Sequence, residues 1–147
     1  MKNSNQGASP ANYRKVTNLS RLKELATIEV KNLKRCVTKE EIANLSIRRL
    51  DAEEANKCIY GQLTGHCNSP RSLQLILRCC TKVIDVRLKH EYILTSTDGA
   101  SLIKPYPAKW GRNFIYISPI ESLIARDETA GAKIIDYLQG KSKRLIL

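Results

Sequence analysis

The sequence predicts an α+β domain: an N-terminal part of about four helices, a small antiparallel sheet of about three strands, and two C-terminal helices. Three observations carry that prediction. Apolar residues recur at helical spacing from Leu19 to Ile84. After residue 85 the pattern changes to short β-branched and aromatic runs around Thr97-Asp98-Gly99. Helical spacing and cap signals then return from Ser118 onward.

The first helix is read from Leu19, Leu22, Ala26, Val30, Leu33 and Val37, which share one stripe. Arg21, Lys23, Lys31, Lys34 and Arg35 occupy the opposite side, so this helix is basic and amphipathic. Glu29 falls close to the apolar stripe. A buried, unpaired carboxylate is costly, so Glu29 marks either a break in the helix or a carboxylate paired with a base.

Thr38-Lys-Glu-Glu41 is a capping box opening a second helix through Ile42, Leu45 and Leu50. Asp51-Ala-Glu-Glu54 has a related form and is expected to start a third helix through Cys58 and Ile59, stopped by Gly65. Asn68-Ser69-Pro70 opens a fourth, whose inner face is Leu73, Ile76, Leu77, Cys80, Val83 and Ile84. The expected strands are EYILTS and ASLIKPY, joined at the Gly99 turn, and NFIYIS at 113–118. Ser118-Pro-Ile-Glu121 is a further capping box opening a short helix; a last helix spans 130–139 and closes at Gly140. Residues 141–147 are read as an edge strand.

Residues 1–13, rich in Asn, Ser, Gly, Pro and Ala, are expected to be a flexible arm, and 14–147 a single domain. No apolar run approaches the roughly 20 residues of a membrane span. The N-terminus lacks the apolar core of a secretory signal. Five cysteines, with Cys79 and Cys80 adjacent, suit free thiols in a reducing cytoplasm better than a disulfide framework.

The net charge of +11 is the strongest global signal. Residues 1–36 hold eight Lys/Arg against two acids, and 69–113 hold eight against three; the intervening stretch is close to neutral. Such a field attracts nucleic acid, an anionic membrane or an acidic protein surface. Bases interleaved with flat side chains near 104–112 suit phosphates and stacked bases. The candidate anion-binding residues are Arg21, Lys31, Lys34, Arg35, Arg71, Arg78, Lys104, Lys109, Trp110 and Arg112.

The stretch KCIYGQLTGHCNSPRSLQLILRCC holds four of the five cysteines. A zinc site from Cys58, His66, Cys67 and Cys79 lacks the close ligand pairs that structural zinc uses. Cys67 just before a helix N-terminus is a candidate nucleophile, with His66 or His90 as base, but nothing supplies an oxyanion pocket. The third reading has the cysteines packed in the core and His66 and Asn68 satisfying backbone groups at a helix junction. Asp85 and Glu91 beside His90 are two loose acids, a weak signal for Mg²⁺.

The segments CIYGQLTGHCNSPRS and YISPIESLI resemble small uncharacterised accessory proteins encoded by bacteriophages. That resemblance implies a protein that binds and blocks a host factor rather than a catalyst. The sequence reading is thus a non-enzymatic, cofactor-free binding protein, with nucleic acid as the first partner. An acidic host protein that it inhibits is the second, and a second copy of the chain a further one. A zinc- or thiol-dependent enzyme centred on Cys67 is the remaining class.

Overall fold

The computed structural model describes residues 18–85, 90–93 and 114–147. The expected arm at 1–13 and the Thr97-Asp98-Gly99 turn lie outside those residues.

Helix α1 (Leu19–Cys36) is the centre of the fold. Asn18 caps it by accepting from the Arg21 N–H at 2.7 Å. Its inner stripe, Leu22, Leu25, Ala26, Val30 and Leu33, is almost wholly buried. Around it pack α4 (Pro70–Cys79), α5 (Pro119–Arg126) and α6 (Glu128–Leu138), with α5 in the most extensive contact. Two short helices, α2 (Lys39–Ala43) and α3 (Ile59–Thr64), and a 3₁₀ turn at Ile47–Arg49 cover the rest.

The α+β class is corrected by this arrangement: the packed body is helical. Every buried hydrophobic residue described, except Leu45, lies on an α-helix or at its cap. Backbone pairing does join three segments of three or four residues, β1 (Lys82–Asp85), β2 (His90–Ile93) and β3 (Phe114–Tyr116), antiparallel in the order β2-β1-β3. The core that is described lies among the helices.

Several boundaries also move. The fourth predicted helix stops at Cys79, because Cys80 turns extended and the β-branched run Thr81-Lys-Val-Ile leaves the helix. Val83 therefore faces Tyr92 and Tyr116 in a backbone ladder rather than lining a helix. The third helix starts only at Ile59. Asp51 accepts from the Glu53 N–H at 2.9 Å, a local turn that competes with helix, and Cys58 becomes the cap. The second helix ends at Ala43, and buried Gln62 holds the non-helical backbone beyond it. Gln62 accepts from the Ser46 N–H at 2.7 Å and donates to the Lys57 carbonyl at 2.9 Å. Residues 141–147 form no strand; Leu145 and Leu147 pack on the core instead.

Gly140 closes α6 with φ 79°, in the left-handed region. The Gly140 and Lys141 N–H groups reach back to the carbonyls of Tyr137 and Asp136, satisfying the helix end. This turn aims the chain toward its basic C-terminal segment. No helix among the described residues is long and apolar enough to cross a membrane.

Candidate nucleic-acid interface and a buried carboxyl pair

The outer face of α1 carries Lys31, Lys34 and Arg35, all exposed, within two helical turns. Each edge of that face is joined to another basic element. On one side the buried Asn32 reaches the Cys79 carbonyl at 3.4 Å, and Arg35 donates to the Asn32 side-chain oxygen at 2.6 Å. Arg35 is thereby held along the seam with the last turn of α4, where Arg78 is exposed. On the other side the Lys34 ammonium donates to the Tyr137 carbonyl at 2.9 Å and lies 4.2 Å from that ring's centroid. Just past Tyr137, the Gly140 turn delivers Lys141, Lys143 and Arg144, all exposed. The same end of α6 adds one carboxylate, Asp136.

The ten sequence candidates divide accordingly. Lys31, Lys34 and Arg35 share the outer face of α1, and Arg78 precedes Cys79, whose carbonyl Asn32 reaches. Arg21 lies about 15 Å along α1 from Lys31, ten residues at the helical rise, and is paired with Glu24. Arg71 is not a free cation. Its Nε donates to Glu41 at 2.8 Å and its Nη2 donates to Glu41 at 2.9 Å and to the Cys36 carbonyl at 2.9 Å, while Nη1 donates to Gln74. This fork joins α4 to the ends of α1 and α2; it holds Glu41 below the usual carboxylate range and raises the guanidinium's own value. Lys104, Lys109, Trp110 and Arg112 lie outside the described residues. Sequence reasoning misses Lys141, Lys143 and Arg144, although Lys-Ser-Lys-Arg is plain in the chain, because it assigns that segment to a strand.

The cysteine–histidine stretch serves the core. The Cys58 sulfur accepts from the Gly61 N–H at 3.3 Å, capping α3, and burial pushes its thiol up to about 12. Cys79 is buried beside Cys36, and burial raises its thiol strongly. Cys67 is half-buried, its N–H bonded to the Ala55 carbonyl at 2.8 Å. His66 is exposed, and its Nδ1 accepts from the Asn68 N–H at 3.0 Å, so it holds the α3–α4 junction. Ser69, not Asn68, caps α4. His90 pairs in backbone register with Asp85. All five cysteines are free thiols, and among the described residues no three His, Cys, Asp or Glu side chains gather closely enough to hold a metal ion.

The sequence flags Glu29 and misjudges it: α1 runs unbroken through it, and among the described residues no base meets it. The buried carboxyl takes three donors instead, the Tyr60 hydroxyl at 2.5 Å, the Ser118 hydroxyl at 2.7 Å and the Ile120 N–H at 2.9 Å. A second carboxyl, Glu121, lies beside it. Ser118 does cap the Glu121 N–H, but Glu121 does not reach back to complete a capping box; its Oε2 accepts from the Tyr60 N–H at 3.2 Å. Burial raises both carboxyls to about 7, against the hydrogen bonds that favour ionisation. Burial, and next the Glu29 charge, raise the Tyr60 hydroxyl well above its ordinary value. One tyrosine on α3 thus spans two proton-holding carboxyls, one on α1 and one on α5.

No family model matches the chain, and no curated protein or solved structure matches it either.

Proposed function

We propose that the protein binds nucleic acid, gripping the phosphate backbone with the face formed by Lys31, Lys34, Arg35, Arg78 and the Lys141–Arg144 segment. The observation that carries this reading is the Lys34–Tyr137 contact, which holds the basic turns of α1 against the end of α6 from which three further cations extend. Electrostatic binding of this kind needs several cations on one surface, and the net charge of +11 supplies the long-range attraction. The one amide side chain among these bases, Asn32, is buried and committed to the Cys79 carbonyl and Arg35, so it is not offered to base edges. The reading is therefore of backbone-directed, sequence-tolerant binding.

The test is a titration of DNA and RNA oligomers against salt. Neutralising about five phosphates gives a slope of log K against log salt near −4. The double variant Lys31→Glu/Arg35→Glu, at two exposed positions, should abolish binding while leaving the helical spectrum unchanged. A protein that ignores both polymers at low salt does not have this function.

A further inference from the structure

On the face that packs α3 against α5, the electrostatics reverse. A groove of about 440 Å³ is lined by Glu53, Tyr60, Ile76, Ile117 and Glu121 among others. It shares Ala52, Glu53 and Ala125 with a neighbouring groove that adds Asp51 and Glu128. The chain has 25 Lys and Arg, yet among the described residues neither lining contains one. Among the described residues the two linings therefore hold four carboxylates and no cation, on a protein this basic.

A second observation points to a ligand. Glu121 Oε2 is satisfied by the Tyr60 N–H, but Oε1 is buried with no partner at hydrogen-bond distance. An unsatisfied buried acceptor is destabilising, and more so when charged. The groups facing this carboxyl among the described residues are the Cys58 thiol, the Tyr60 and Ile59 N–H groups and the Glu29 carboxyl, none of them a cation. The final torsion of a glutamate is soft, so a small rotation turns Oε1 toward the groove. Ile76, Ile117, Ala52 and Ala125 supply an apolar wall for a short alkyl chain.

We propose that this groove is a binding site for a small aliphatic amine, its ammonium donating to Glu121 Oε1 and its chain running past Glu53 toward the adjoining acidic groove. An ammonium supplies the missing donor and the missing positive charge together. A neutral alcohol of the same length supplies only a donor, and an anion is repelled. The volume lies within the range that small-molecule sites occupy, about 300–1,000 Å³. The site is distinct from the basic face and stands or falls without it.

Isothermal titration of the full chain with 1,4-diaminobutane at about pH 8, where Glu121 is mostly ionised, tests the proposal. The expected result is saturable binding with one amine per chain, weakening about tenfold near pH 6, where the carboxyl must first lose its proton. 1,4-Butanediol should not bind. Glu121→Gln should lose at least about tenfold in affinity, and Glu53→Gln, at an exposed position, should weaken binding less. Unchanged affinity in Glu121→Gln, equal binding of the diol, or no saturable binding overturns the site. If Glu121→Gln does not fold, Ala125→Phe, which fills the groove from an exposed position, decides: loss of binding supports the site and retention overturns it.

Discussion

The Tyr60 hydroxyl donates to Glu29 across 2.5 Å in the interior, while the backbone N–H of the same tyrosine donates to Glu121 at 3.2 Å. One residue of α3 therefore ties two acidic side chains from two other helices, and among the described residues no cation is bonded to either carboxyl. Most of the unusual chemistry of this fold stems from that relationship.

Stability should fall as the pH rises through neutrality. Both carboxyls titrate near 7 in the folded chain, against an ordinary value of 4.5. Between those values the folded state holds more protons than the unfolded one, so raising the pH favours unfolding. Their contribution is fully present below about 4.5 and gone above about 7, worth on the order of 3 kcal/mol for each carboxyl. Glu41 and Asp127, held low by Arg71 and by Thr129, act oppositely and lose their contribution in acid. Urea unfolding between about pH 5 and 8 checks the sign: the midpoint should decline, and Glu29→Gln should flatten the decline.

Tyr60→Phe should destabilise the protein by about 1–3 kcal/mol, by removing a buried donor from Glu29. The loss should be larger at alkaline than at acid pH, because the hydroxyl is needed most when the carboxyl is ionised. A difference between the two denaturation profiles that does not change with pH would contradict this account of the bond.

Gly61→Ala offers a packing test. Alanine is the better helix former by about 1 kcal/mol, so propensity alone predicts a gain. A Cβ at Gly61, however, would lie 2.2 Å from the Ala55 carbonyl oxygen, a backbone atom that cannot swing aside. The expected outcome is a net loss of about 1–3 kcal/mol, measured as a lower denaturation midpoint.

Arg71→Lys separates structure from binding. The fork to Glu41 is partly exposed, so the substitution should cost only about 1 kcal/mol of stability. Nucleic-acid affinity should change little, because this guanidinium is already committed to Glu41 and the Cys36 carbonyl. A loss as large as that of Lys31→Glu would return Arg71 to the binding face.

How much of this is legible in the chain depends on distance along it. The caps at Thr38 and Ser118, the prolines at the starts of α4 and α5, and the Gly140 stop are local signals, and each stands where the residues place it. Val83 and Ile84 fit a helical stripe as well as a strand, so the end of α4 is not readable from periodicity. Glu29 is visibly out of place, but its partners lie 31, 89 and 91 residues away. Glu121 has the spacing of a capping box, and the Tyr60 N–H, which no local pattern reveals, takes its carboxyl instead. The basic face is half legible: the α1 cations are periodic, whereas their meeting with Lys141, Lys143 and Arg144 depends on how α1 and α6 pack.

The most direct test of the central claim is the affinity of the wild type and of Lys31→Glu/Arg35→Glu for a mixed-sequence oligonucleotide across a salt series. Wild-type binding should weaken with a slope near −4 in log K against log salt, and the variant should lose binding with its fold intact. A salt-insensitive wild type, or a folded variant that binds equally well, would contradict the proposal that this basic face holds nucleic acid.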